Sequence, residues 1–294
     1  MHRLLLACVL LFPTLTYADE ADSRYRAGMA LKEQGKTDEA IVELEAAVAA
    51  KPGLGMAWNT LGILYKKQGQ IEKAVRAFQE AARILPREPA VQANLGMALY
   101  RAGRDADAIA PLEEAARLDP KDADTQANLG TIKSKRGDPS GALVNLEQAV
   151  KLRPTDAQFH ANLGAAYSRA KRFEDAEKEY RAALKVAPDK ADLHFNLGTM
   201  LRRKGMVDEA IVEYREAVRL DDKLADAWYD LGIMYRSSKQ NDLAVQAFQR
   251  YVALTKASDP AAAQRAEDEI KGLGGKVEEA PAPKAKPRKK KSVN

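Results

Sequence analysis

Apolar residues along the chain fall into short helical stripes rather than alternating runs. Trp58, Leu61, Gly62 and Tyr65 stand at i, i+3, i+4 and i+7, which is one face of a helix. Ala74, Phe78 and Ala81 form the stripe of a second helix, and Gly69 between the two marks a tight reversal. The same two-helix pattern returns every 34 residues. Gly28, Gly62, Gly96, Gly130, Gly164, Gly198 and Gly232 keep that interval, and so do Ala40, Ala74, Ala108, Ala142, Ala176, Ala210 and Ala244. Seven units therefore tile the chain without insertion, at 21–54, 55–88, 89–122, 123–156, 157–190, 191–224 and 225–258.

The helix ends are also written. Pro52, Pro86, Pro120, Pro154 and Pro188 share one position between the second helix of a unit and the first helix of the next. A proline there stops a helix without removing a needed hydrogen bond. Asp222 and Lys256 replace it in the last two units. Asp138-Pro139 predicts the start of a second helix, whereas Pro111 falls inside one and predicts a local bend on an exposed face. Asp259-Pro260 opens one further helix through Lys271, with Ala262, Ala266 and Ile270 on its inner face. A lone helix pair cannot bury its apolar face, but stacked pairs cover one another. The pattern thus predicts an all-α solenoid of seven helix-turn-helix repeats, closed by a capping helix over 259–271. Gly272, Gly274 and Gly275 end that helix, and from Lys276 onward Pro, Ala and Lys run with no apolar period, so 272–294 is predicted to be a disordered basic tail.

The N-terminus differs from everything after it. Met1-His2-Arg3 is a short positive region, an apolar run extends from Leu4 to Phe12, and Pro13 breaks it. Thr16-Tyr17-Ala18 then places small residues before a cut. This is the pattern of a secretory signal peptide over 1–18, cleaved after Ala18, and it predicts a periplasmic protein. The run is well short of the roughly 20 residues that span a bilayer. Leu5-Leu6-Ala7-Cys8 resembles a bacterial lipoprotein box, but the apolar run continues beyond Cys8, where a lipidation site would close it.

Composition changes the picture in two places. Aromatics at 6% fit a helical protein better than an all-β one. The formal net charge of +5 is local: the tail 272–294 holds +5 and the leader +1, leaving the long body between them at −1. That body is not a basic domain. Cleavage after Ala18 would remove the single Cys, which suits an oxidising compartment and excludes a thiol enzyme in that form. His160 and His194 lie 34 residues apart in the slot that holds Trp58 and Trp228, so they are one packing position repeated, with no third ligand for a metal. Asp38-Glu39 and Asp208-Glu209 fall in the first turn of second helices, where exposed backbone amides favour negative charge. No phosphate-binding glycine loop and no Ser–His nucleophile pair occurs. The sequence predicts no enzyme, no metal and no cofactor.

These units resemble the tetratricopeptide repeat (TPR). Trp58, Leu61, Gly62, Tyr65, Ala74, Phe78, Ala81 and Pro86 match its pattern in order, and Trp228, Leu231, Gly232, Tyr235, Ala244 and Phe248 match again, with Tyr251 where Ala is usual. The resemblance implies a right-handed superhelix whose first helices line a concave groove. It places Asn94, Asn128, Asn162, Asn196 and Asp230 at one groove position. Such a ladder either pairs its amides with the backbone of an extended peptide or caps local polar groups. Tyr25, Phe195 and Tyr229 fall at a neighbouring groove position as candidate aromatic anchors. Lys67, Arg101, Lys135, Arg169 and Arg203 form a basic row at the groove edge, either a solvated face or a surface suited to an acidic or carboxylate-ended partner. The clamp by which chaperone-binding members hold a C-terminal carboxylate is missing, since Tyr25, Met29, Thr60, Ala90 and Asn94 occupy its places.

Two classes of function follow. In the first, the protein is a non-catalytic periplasmic scaffold that binds peptide segments or partner proteins in its groove. By resemblance to exported bacterial proteins it would help assemble an envelope machine, with type IV pilus assembly or gliding motility among the hosts. In the second, Lys284, Lys286, Arg288, Lys289, Lys290 and Lys291 attach the chain to anionic membrane or envelope polymer, with the repeats as a spacer. Nucleic acid is disfavoured as a partner, because the tail lacks aromatics for base stacking.

Overall fold

The computed structural model describes residues 12–276, with side chains from Glu20 onward. Residues 1–11, including Arg3 and Cys8, lie outside the described residues, as do the tail lysines and Arg288. Every regular element among the described residues is an α-helix. The chain forms two compact units, divided between Ala170 and Lys171. The first holds α1 (Phe12–Glu33), α2 (Thr37–Ala50), α3 (Gly55–Lys67), α4 (Ile71–Ile84), α5 (Pro89–Arg101), α6 (Asp105–Leu118), α7 (Ala123–Lys135), α8 (Pro139–Leu152) and α9 (Ala157–Arg169). The second holds α10 (Phe173–Val186), α11 (Ala191–Arg203), α12 (Val207–Leu220), α13 (Ala225–Ser237), α14 (Asn241–Thr255) and α15 (Pro260–Gly272). These helices follow the 34-residue period as helix–turn–helix repeats with one C-terminal helix added.

Packing explains the small residues. Ala40, Ala74, Ala108 and Ala142 in the first unit, and Ala176, Ala210 and Ala244 in the second, have no exposed surface. A Cβ on Gly62 would stand 2.6 Å from the Phe78 ring, and one on Gly232 would stand 2.7 Å from Phe248. Glycine on the first helix therefore lets the bulky side chain of the second lie against backbone. The same close approach recurs at Gly28, Gly96, Gly130 and Gly198, and Leu44, Leu61, Phe78 and Leu112 belong to one core that runs from Ala40 to Ile132.

The hairpin turns share a cap. Gly69 has φ 74°, and Gln70 N–H donates to Tyr65 O at 2.9 Å, the bond that closes a Schellman motif. Lys171 and Lys239 occupy the same turn position, with φ 59° and 61°. A side chain with a Cβ is disfavoured there. Asp138 and Asp259 cap α8 and α15, accepting from Gly141 N and Ala262 N at 2.9 Å each.

Two expectations need correction. Pro111 is half-buried rather than on an exposed face, and α6 passes through it at the same 14-residue length as α4 and α8. Residues 272–276 are not part of a disordered tail. Gly274, at φ 79°, turns the chain after α15, Gly275 N–H donates to Ile270 O at 2.9 Å, and Gln249 holds the Lys276 carbonyl at 2.9 Å. Glycines in this segment supply the helix stop and let it return onto α14.

Candidate peptide-binding surface

In the first unit, the first helices α3, α5, α7 and α9 contact one another in succession. Their shared face carries the predicted amide ladder, and its rungs are not equivalent. Asn94 Nδ2 donates to Asn59 Oδ1 at 3.1 Å, linking adjacent repeats. Asn162 Oδ1 accepts from Gln158 Nε2 at 2.9 Å within its own helix. Asn128, between them, is half-buried and makes no side-chain hydrogen bond among the described residues. Tyr25 lies half-buried against the core of this unit.

The basic edge is also mixed. Lys135 pairs with Asp105 at 2.8 Å, and its ammonium stands 5.0 Å from the centre of the Tyr100 ring. The hydrogen bond to Asp105 raises the Lys135 pKa. Arg169 donates to Ser134 Oγ at 3.0 Å. Lys67 and Arg101 are exposed and carry no partner among the described residues. Next to them, burial and then the charge of Arg101 lower the Lys66 pKa. An anion is most welcome at that end of the row.

In the second unit the aromatic anchors are shelved on second helices. Phe195 stands 5.8 Å from Tyr214, and Tyr229 stands 5.6 Å from Phe248 and 5.0 Å from Tyr251. All three contacts leave Phe195 and Tyr229 half-buried. Asn196 is half-buried without a side-chain partner among the described residues. Arg203 lies exposed, with its guanidinium 5.4 Å from the Phe173 ring. Asp230 belongs to an internal network. It accepts from Tyr214 Oη at 3.1 Å and faces Arg202 at 3.7 Å. Burial raises the Asp230 pKa, while Arg202 and Tyr214 pull it down. Burial also pushes the Tyr214 phenol up to about 12, so it keeps its proton.

Sequence reasoning missed the polar work done at the fourth position of each repeat. Trp58 Nε1 donates to Pro52 O at 3.0 Å, Gln92 Nε2 to Pro86 O at 2.9 Å, and Trp228 Nε1 to Asp222 O at 3.0 Å. His160 and His194 reach Pro154 O and Pro188 O through Nε2, at 3.0 and 2.9 Å. Each side chain ties down the carbonyl of the link six residues before it. At the same position in three repeats a polar side chain reaches the second helix of its own repeat, nineteen residues on: Arg24 to Glu43 at 3.2 Å, Gln126 to Asn145 at 2.7 Å, and His194 Nδ1 to Glu213 at 2.7 Å. The histidines are thus linkers in the fold. Among the described residues, no three His, Cys, Asp or Glu side chains are placed to hold a metal ion. No described helix is long and apolar enough to cross a membrane.

Paired helices at a 34-residue period, a glycine under each bulky neighbour and a wholly buried central alanine define a tetratricopeptide-repeat protein. The family model of the Cilia and flagella-associated protein 70 C-terminal domain matches residues 18–227, and a tetratricopeptide-repeat model matches residues 213–263. The chain belongs to the former family. Among solved structures, the C-terminal part of a TPR repeat-containing protein from Cytophaga hutchinsonii is 18% identical with a TM-score of 0.67, over 84% of this chain and 99% of that one. YrrB, described as a TPR protein with an unusual peptide-binding site, is 20% identical with a TM-score of 0.56, over 66% and 99%. MamA from Desulfovibrio magneticus RS-1 is 23% identical with a TM-score of 0.55, over 58% and 97%. These likenesses are of fold. No curated protein matches the chain in sequence.

Proposed function

We propose that the chain is an exported protein-interaction scaffold of the bacterial envelope, and that the first-helix face of its first unit holds an extended peptide segment. One observation carries the reading. Asn128 presents a half-buried amide with no side-chain partner among the described residues, on a face of adjacent helices and flanked by Asn94 and Asn162. A half-buried amide without a partner is completed by a ligand that offers a backbone N–H and C=O together. Phe195, Tyr229 and Asn196 offer the same chemistry within the second unit, and in the first Lys67 and Arg101 favour an acidic residue. Export rests on Arg3, the apolar run to Phe12 and the small residues ending at Ala18. An envelope machine such as a pilus or gliding complex would supply the partner.

The test begins with co-purification from the native envelope, using an epitope inserted before residue 277, with mass spectrometry of both bait and partners. A bait beginning at Asp19 together with a stoichiometric envelope partner is the expected result. The double variant Asn128→Ala, Asn162→Ala should then keep its helical signal and bind that partner about tenfold more weakly. Unchanged affinity in the folded variant sinks the groove reading, and a bait retaining its first 18 residues sinks the export reading.

A further inference from the structure

A second site lies outside the groove. In four repeats the eleventh position carries a polar side chain, and the residue twenty before it stands on the preceding second helix. Tyr65 Oη donates to Glu45, Lys133 pairs with Glu113 at 2.8 Å, and Tyr167 Oη donates to Glu147 at 2.7 Å. The fourth pair breaks the rule. Tyr235 has Arg215 twenty residues before it, so a donor faces a donor, and neither side chain has a partner among the described residues.

An open cavity of about 300 Å³ stands at that place, lined by both residues and by Val218, Trp228, Leu231 and Leu243. The matching place between the first and second repeats is filled differently. There Lys73 stands over the Tyr65 ring at 5.3 Å, and Glu45 takes the hydroxyl. In the second unit Leu243, 40% exposed, replaces that lysine. The other arginine of the cavity, Arg219, is held by Glu216 at 2.6 Å, which leaves Arg215 as the lining arginine without an ion-pair partner among the described residues. Trp228 Nε1 is engaged with Asp222, so the indole offers only its apolar face. The cavity uses Trp228, Leu231 and Tyr235, one stripe of α13, and not Tyr229 or Asp230 on the groove side.

We infer that this cavity binds an acidic side chain flanked by apolar residues on a partner protein. The partner carboxylate supplies in trans the acceptor that Glu45, Glu113 and Glu147 supply from within the chain. Arg215 provides the charge-assisted hydrogen bonds, the Tyr235 hydroxyl a further donor, and Trp228, Leu231 and Leu243 cover the apolar neighbours. A protein side chain is the occupant because Glu45, Glu113 and Glu147, all protein side chains, serve the three matching pairs. The inference is independent of the groove, and either can fail alone.

The experiment uses the full chain labelled with ¹⁵N. The chain has two tryptophans, so two indole N–H signals appear, and a Trp58→Phe variant assigns them. The probe is the peptide acetyl-Ala-Leu-Glu-Leu-Ala-amide, with its Gln counterpart as control. The Trp228 signal should shift saturably with the Glu peptide while the Trp58 signal stays fixed, and the Gln peptide should bind at least about tenfold more weakly. Arg215→Glu restores the pairing of the other repeats, so it should abolish the shift while leaving the helical signal intact and raising the melting temperature. Tyr235→Phe should weaken binding several-fold. Equal response to both peptides, an Arg215→Glu variant that binds as the parent does, or no Trp228 shift at about 5 mM peptide overturns the inference. A shift with decanoate but not with the peptide likewise overturns it in favour of a free carboxylate ligand.

Discussion

Lys239 sits at φ 61° between α13 and α14, exposed and without a side-chain partner among the described residues. Its backbone is that of Gly69 and Gly205, but its Cβ crowds the following carbonyl, at about 1 kcal/mol or more. Glycine would relieve that contact while giving up some rigidity of the unfolded chain. Lys239→Gly should therefore raise stability by about 0.5–1 kcal/mol, read as a higher urea midpoint at an unchanged slope. A fall in the midpoint would mean that the Lys239 stem packs on its neighbours by more than the strain it carries. The sequence placed a reversal at this position from Gly69, yet nothing local in Ser238-Lys239-Gln240 announces a left-handed residue. Only the 34-residue register does so. Local chemistry identifies a glycine turn, and tertiary packing forces the same backbone on a lysine.

At the scale of elements, α6 is the exception among the second helices because Pro111 lies in its middle. Proline has no N–H to donate to the Asp107 carbonyl four residues earlier, and its ring crowds that turn. The helix persists because Ala108, Leu112 and Ala115 are buried on either side, so packing holds what propensity opposes. Pro111→Ala should restore the bond and stabilise the protein by about 1–3 kcal/mol, the range between a partly compensated and a fully exposed helix proline. No change in the urea midpoint would show that the half-buried ring contributes as much by contact as it removes. Helix ends were legible where the signal is local, as at Asp138-Pro139 and Asp259-Pro260, because a cap needs only the next two or three residues. The side-chain bridges were not. Arg24 meets Glu43, Gln126 meets Asn145 and His194 meets Glu213 across two helices, so the partner is known only once the facing stripes are known. The groove was half legible for the same reason. The Asn row is visible as a column of the repeat, but the occupancy of Asn94 depends on Asn59, 35 positions away.

At the scale of the whole molecule, the period and the division into units give different accounts of the fifth repeat. The period is unbroken through Gly164 and Ala176, yet the units part between Ala170 and Lys171, in the turn of that repeat. Repeat stability is set locally, so the openness of one hairpin turn can differ from that of the next. Limited trypsin digestion exposes the difference. Lys36, Arg104, Arg136, Lys171, Arg172 and Lys239 are all exposed in or beside hairpin turns and offer chemically similar cuts. The first products should end at Lys171 or Arg172, as shown by the intact masses of the fragments. Strain alone does not predict this, because Lys239 shares the left-handed backbone of Lys171 within a single unit. Equal early cutting at Lys171 and Lys239 would assign the weakness to the strained turn, and Lys171→Gly would then remove it. Cutting at Lys171 alone, persisting in Lys171→Gly through Arg172, would assign it to the fifth hairpin turn as a whole rather than to its strained residue.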